Sequence, residues 1–421
     1  MAVAPTGAGQ SRLERRLGLR DAVVIGLGSM IGAGVFSAPA PAAAAAGSGL
    51  LLGLGLAAVV AYCNATSSAR LAARYPASGG TYVYGRERLG DFWGHLAGWS
   101  FVVGKTASCA AMALTVGAYV WPAHEREVAV AAVAALTALS CTGVQKAAWL
   151  TRTIVAVVLL VLAAVVVASL TSGQAQAARL DIGADAGVHG VLQGAGLLFF
   201  AFAGYARIAT LGEEVRDPGR TIPRAVPIAL GITLVVYAAV AASALAVLGP
   251  ERLAGAAAPL AETVRAAGAP ALAPIAGAGA AIAALGSLLA LILGVSRTML
   301  AMARDRHLPP ALAAVHPRTK VPYRAELTVG AVVAVLVLAT DLRGAIGFSS
   351  FGVLAYYAIA NASAWTLTAG EGRPPRIVPV LGLTGCVALA VSLPPISVLS
   401  GGAVLAAGAV LYAARRTLNG R

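Results

Sequence analysis

Apolar stretches close to the length of a bilayer crossing follow one another along almost the whole chain. About twelve can be counted, near 22–45, 49–69, 93–121, 127–144, 150–170, 191–212, 225–248, 270–303, 323–341, 344–366, 377–393 and 396–414, and most reach the roughly 20 residues a helix needs to cross hydrocarbon. A lipid-exposed backbone must satisfy its own N–H and C=O groups, so apolar segments of this length fold as helices. Of the 421 residues, 59% are hydrophobic and 11% charged, against about a quarter charged in soluble domains. The 270–303 stretch exceeds one span and is expected to project beyond the membrane; 323–341 is the weakest span. The amino-terminal segment leads into the first helix and does not read as a cleavable signal, because the apolar stretch is too long and lacks a clean cleavage site.

The net charge of +14 would suit a nucleic-acid partner, but the positions of the charges argue for topology instead. With the N-terminus inside and the spans alternating, only Arg126, Arg179, Arg252, Arg265 and Arg343 fall outside, and Lys105 and Arg207 fall within spans. The other lysines and arginines, among them Arg20, Arg74, Arg86, Arg88, Arg216 and Arg304, lie at inner ends or loops. This bias predicts a multi-pass protein of the cytoplasmic membrane with both termini cytoplasmic. Cys63, Cys109, Cys141 and Cys386 lie in apolar segments without metal or disulfide spacing, and the five histidines are scattered. No metal and no cofactor is expected.

Two spans carry their own interruptions. Val23–Pro39 contains Gly26, Gly28, Gly32 and Gly34, and each glycine weakens a helix by roughly 1 kcal/mol relative to alanine. An unwound backbone survives at membrane depth only where protein or a water-lined cavity satisfies it. Its exposed amides then attract anions and its carbonyls cations, which makes it a candidate substrate site. The same glycines resemble a dinucleotide-binding fingerprint, but the strand, soluble helix and downstream acid that such a fingerprint needs are missing. The sixth span, Leu192 to Glu214, holds Gly194, Gly196, Gly204 and Gly212. A break near Gly204, five spans after the first, suits a repeat of five helices whose second copy is inverted in the membrane.

At these residues the chain resembles a known family. Gly28-Ser29-Met30-Ile31-Gly32-Ala33-Gly34-Val35-Phe36 is similar to the first-helix motif of the amino acid–polyamine–organocation (APC) transporters. Phe199-Phe200-Ala201-Phe202-Ala203-Gly204-Tyr205, continuing through Glu213, Glu214 and Pro218 to Pro223, resembles the sixth helix and its following loop. Tyr75 to Tyr82 resembles the connector between helices two and three, and Ser296 to Pro309 the end of helix eight. The resemblance implies an all-α integral membrane protein of about 12 transmembrane helices, with a five-plus-five inverted-repeat (leucine-transporter-like) core, helices 1 and 6 broken, and two C-terminal helices. The expected division is a cytoplasmic segment 1–21, a ten-helix core 22–366 with repeats of about 22–170 and 191–366, two further helices in 377–414, and a cytoplasmic C-terminus 415–421. The resemblance also implies a substrate with an α-amine and an α-carboxylate. Its carboxylate would meet amides around Ala33 and Gly34 and its amine carbonyls near Met30, Phe200 and Ala203, with Phe200 also the aromatic lid and Gly32 and Gly204 completing the expected substrate-binding residues.

Lys105 lies about 12 residues into the third span counted from Trp93, about 18 Å at 1.5 Å per residue in a hydrocarbon core of about 30 Å. A lysine there costs at least about 2.5 kcal/mol on insertion scales, which makes it a functional candidate; the plainer reading is a carbonyl-paired brace. Some relatives place a lysine in the fifth helix, where Val158 stands here, so Lys105 departs from the family pattern. Ser287 in the eighth span is a candidate polar neighbour, and Arg207 either snorkels inward or lines the pathway. Glu213 and Glu214 are candidate inner-gate partners for an arginine such as Arg20, or else members of a surface ion-pair cluster.

No aspartate or glutamate is evident near mid-depth, and no carboxylate stands at Ala206, where relatives carrying cationic substrates have one. The expectation is therefore a secondary transporter of neutral amino acids, not an enzyme, working as a symporter or antiporter with a proton as the possible coupling ion. Cationic or acidic amino acids, or amines, are the alternative cargo; a membrane receptor or membrane-embedded enzyme is the alternative class. A primary pump is disfavoured because no phosphate-binding loop of the glycine–lysine–serine/threonine type is present.

Overall fold

A computed structural model describes residues 17–75, 79–143, 148–183, 185–209 and 215–419. Among these the chain is almost wholly helical, and the one extended pairing is a bridge between Leu17 and Val215. The first apolar stretch forms α1 (Leu19–Met30), α2 (Ala33–Ser37) and α3 (Pro39–Ala46). Next come α4 (Leu50–Arg74), the short connector helix α5 (Thr81–Leu89), α6 (Asp91–Val120), α7 (Glu125–Cys141) and α8 (Ala148–Thr171). The second half comprises α9 (Val188–Phe202), α10 (Ala206–Ala209), α11 (Pro218–Ala254), α12 (Pro259–Ala266), α13 (Ala273–Arg304), α14 (Tyr323–Ala339) and α15 (Leu342–Trp365). Two last helices follow, α16 (Ile377–Ser392) and α17 (Pro395–Asn419).

Eight helical runs in the described residues are long and apolar enough to cross a membrane. The remaining apolar helices are shorter: α9 has 15 residues, α16 has 16, and α7 and α14 have 17 each. At 1.5 Å per residue these reach only about 22–26 Å, at or below the lower limit for a crossing. α13 runs for 32 residues, about 48 Å by the same rise, and exceeds the hydrocarbon thickness.

α6 is the centre of the bundle. Most of it is buried, and it packs along both α13 and α15, whereas α8 and α17 turn most of their surface outward. The approach of α6 to α15 is a contact of backbones. A Cβ on Gly104 would lie 3.1 Å from Val353 N, and one on Gly352 would lie 2.9 Å from Gly104 Cα. One turn further on, the Ser108 and Ser349 hydroxyls meet at 2.6 Å. Small residues allow such closeness, and without water between helices the hydrogen bond helps to hold it. A second polar knot joins α4, α15 and α16: Asn361 Nδ2 donates to Asn64 Oδ1 (2.6 Å), Ser67 Oγ donates to Asn361 Oδ1 (2.7 Å), and the Cys386 thiol donates to Asn64.

The connector helix α5 is tied to the end of α13. Tyr82 donates to Asp305 Oδ2 (2.6 Å), which also accepts from Arg86 (2.9 Å). Desolvation raises the Tyr82 phenol and the Asp305 carboxylate reinforces it, so the tyrosine remains a neutral donor. Beside it, Glu371 after α15 accepts from Arg88 (2.5 Å) and Arg74 (3.3 Å), and these contacts with Thr368 hold its carboxyl down to about 2.

Candidate functional site

The first break follows from its glycines. Ile31 leaves the helical region (φ −79°, ψ 71°), Gly32 is extended (φ −120°, ψ −145°), and helix resumes at Ala33. The Ala33 and Gly34 amides thus open a new helix with no partner inside it. The second break comes where α9 stops at Phe202 and turns through Ala203 and Gly204 before α10. The two breaks face each other at backbone distance. A Cβ on Gly204 would lie 2.1 Å from Ser29 O, and one on Gly34 would lie 2.6 Å from Ala201 Cα. Only glycine permits this approach at either position.

A cavity of about 260 Å³ lies against both breaks. All the substrate contacts expected from the sequence line it: Met30, Gly32, Ala33, Gly34, Phe200, Ala203 and Gly204. Lys105, Arg207 and Ser287 line it too. Lys105 is 7% exposed and its ammonium donates to Ala203 O at 3.2 Å. Ser287 Oγ sits against Gly32, where a Cβ would come within 2.3 Å of it, so its neighbour is the first break. Arg207 is exposed on the single turn of α10 and faces the cavity. Val158, the position matching the relatives' lysine, is fully buried and lies outside the cavity lining. Glu213 and Glu214, the expected gate residues, lie outside the described residues.

Several site residues had no signal in the sequence. Tyr237 of α11 donates from one hydroxyl toward Met30 O (2.5 Å) and Ala201 O (3.0 Å), so it staples the two breaks together. Met30 O, expected to face an amine, is thereby engaged. Tyr357 of α15 reaches Ala203 O at 3.5 Å, the oxygen that Lys105 also uses. Phe101, Met112 and Leu291 give the cavity apolar wall, and it runs on to Tyr82 of α5 and Arg297 of α13. Outside the cavity lining, Tyr119 of α6 donates to Phe36 O (2.8 Å) and accepts from Leu260 N (3.1 Å), tying α2 to α12. One buried acid gives no sign of its burial in the sequence: Glu326, in the first turn of α14, is 0% exposed, beside Cys141 at the end of α7 and outside the cavity lining.

Among the described residues the cavity lining holds no carboxylate, and no cluster of side chains is suited to hold a metal. The arrangement presents helix-start amides, helix-end carbonyls and an apolar wall, which can bind a zwitterion but offers no nucleophile–base pair.

Comparison with known proteins agrees. A family model described as amino acid permease matches residues 17–413. An uncharacterized transporter of Mycobacterium tuberculosis is 74% identical over 409 residues, covering 97% of this chain and 93% of that one. Cationic amino acid transporter 4 of Homo sapiens is 30% identical over 393 residues, covering 87% of this chain and 62% of that one. A branched-chain amino acid permease of Bacillus subtilis is 24% identical over 437 residues, covering 96% and 94%. The protein is therefore a multi-pass membrane transporter and not an enzyme, and it belongs to the APC-type amino acid permease family.

Proposed function

We propose that the chain moves neutral amino acids across the cytoplasmic membrane by alternating access, binding them between the two helix breaks. In this reading α1 to α8 and α9 to α15 are the two inverted copies of five spans, α16 and α17 are additional, and both termini are cytoplasmic. The matched position of the breaks supports it, as does the crowding of basic residues on the side of α5 and the end of α13. The cavity then opens inward, past Tyr82 and Arg297, while the Tyr119 contacts close the outer side. The substrate carboxylate meets the Ala33 and Gly34 amides, and Phe200, buried at the cavity wall, serves as the lid. Lys105 is the candidate for proton coupling, whether by symport or exchange.

The observation that carries the choice of cargo is the charge of the lining. Lys105, Arg207 and Arg297 face the cavity, with no carboxylate among its described residues. A cationic side chain would meet these basic groups with no carboxylate of the described lining beside it, whereas an apolar one would meet Phe101, Met112 and Leu291. A second reading, cationic cargo, is favoured by the name of the human relative. Uptake into proteoliposomes, competed by each amino acid under separate pH and sodium gradients, decides between them. Neutral amino acids should compete best; arginine or lysine as the strongest competitor would refute the neutral reading.

A further inference from the structure

The Ala203 carbonyl has two claimants. The end of a broken helix offers its free carbonyls to a cation, and on the reading above this is where the substrate ammonium belongs. Yet this oxygen accepts from the Lys105 ammonium at 3.2 Å. The lysine comes from a different helix, 98 positions away in sequence, and it is buried. Met30 O, another carbonyl of the pair of breaks, is held by Tyr237. The geometry points to Lys105 as an internal stand-in for the substrate ammonium: it occupies the amine subsite, and an amino acid must displace it to bind.

The consequence is a definite sign of coupling. Two ammonium groups near one carbonyl oxygen repel strongly where water is scarce. No carboxylate in the described lining offsets a second positive charge. The groups facing the lysine are Cys109 one turn along α6, Tyr357 on the same oxygen, and Tyr356, Tyr82, Arg207 and Arg297 around the cavity. Arg297 adds to the repulsion, and none of these groups is an anion at neutral pH. Relief comes when Lys105 gives its proton to cavity water as the substrate ammonium arrives. Binding an amino acid therefore releases a proton, and affinity rises with pH. A proton symporter that loads its proton before its substrate would show the opposite trend.

This inference rests on the amino acid reading of the site, and the test keeps the two apart. Isothermal titration calorimetry of the detergent-purified full chain would use a panel of neutral amino acids including L-leucine, each paired with the carboxylic acid that lacks the amine, such as 4-methylpentanoate. Repeating each titration in buffers of different ionisation enthalpy counts released protons. The parent should release a proton with amino acids and none with the des-amino acids, a comparison that needs no variant. Lys105→Met should tighten amino acid binding by about tenfold or more and abolish proton release, while weakening the des-amino acids, which lose an attractive charge. Lys105→Arg, which cannot deprotonate, should weaken amino acid binding at every pH. Equal proton release from both members of a pair, or weaker binding of both by Lys105→Met, would overturn the stand-in while leaving the amino acid site standing. A folded parent that binds no amino acid would overturn both.

Discussion

The contact of Gly34 with α9 allows a quantitative test of the double break. Gly34→Ala adds one methyl group, which would lie 2.6 Å from Ala201 Cα and 2.7 Å from Ala201 Cβ. Carbon atoms pack at about 3.5–4.0 Å, so the shortfall is about 1 Å. Both opposing atoms are fixed to the backbone of α9, and no side-chain rotation relieves them. α2 must then move away from α9, at a cost of about 1–3 kcal/mol for an overpacked site. The movement displaces the Ala33 and Gly34 amides relative to the second break. If that cost falls on the binding-competent arrangement, affinity drops by about five- to a hundredfold, at 1.4 kcal/mol per factor of ten. Gly55→Ala on α4 is the control, because nothing lies within 4 Å of its added methyl. Scintillation-proximity binding on purified protein reads the effect, with size-exclusion profiles to verify folding. Gly34→Ala binding within about twofold of the parent, a difference of under half a kcal/mol, would refute the close apposition and the role given to these amides.

Tyr237→Phe removes the staple between Met30 O and Ala201 O. Leaving buried acceptors without this donor costs about 1–3 kcal/mol, so the melting temperature should fall while Tyr82→Phe, outside the breaks, affects binding less. Glu371→Gln tests the ion cluster after α15. The folded carboxyl is held at about 2 against a reference of 4.5, so its stabilisation is present above about pH 4.5 and fades as pH falls toward 2. The variant should therefore melt lower than the parent at neutral pH, with the gap closing on acidification; a gap that persists at low pH would show that charge is not the cause.

The breaks were legible because glycine marks where a helix weakens, and the spacing Gly26 to Gly34 and Gly194 to Gly212 is visible without a neighbour in sight. Lys105 was legible because depth can be counted along one helix. What it touches was not: its carbonyl partner is 98 residues away. Tyr237 left no trace for the same reason, since a tyrosine in an apolar span looks the same whether its hydroxyl meets a helix break or a lipid headgroup. The burial of Glu326 is not legible because it sits in the first turn of its helix, where an acid usually meets water; only the packing of α7 over it reveals that burial. The shortness of α9 was likewise hidden, because its apolar stretch runs on to residue 212 whereas the helix stops at Phe202.

The meeting of α6 and α15 through Gly104 and Gly352 has a mechanical consequence. Side chains that interlock across a helix pair resist sliding, because each must climb out of its groove before the next register is reached. Backbones in bare contact have no such teeth. α6 carries Lys105 into the centre of the protein, and α15 carries Tyr357 to the same carbonyl. Around that glycine contact the surface between them can act as a bearing, with the Ser108–Ser349 bond and the Phe101–Tyr356 ring contact as its detents, so that the two helices shift against each other while both keep hold of the broken helix.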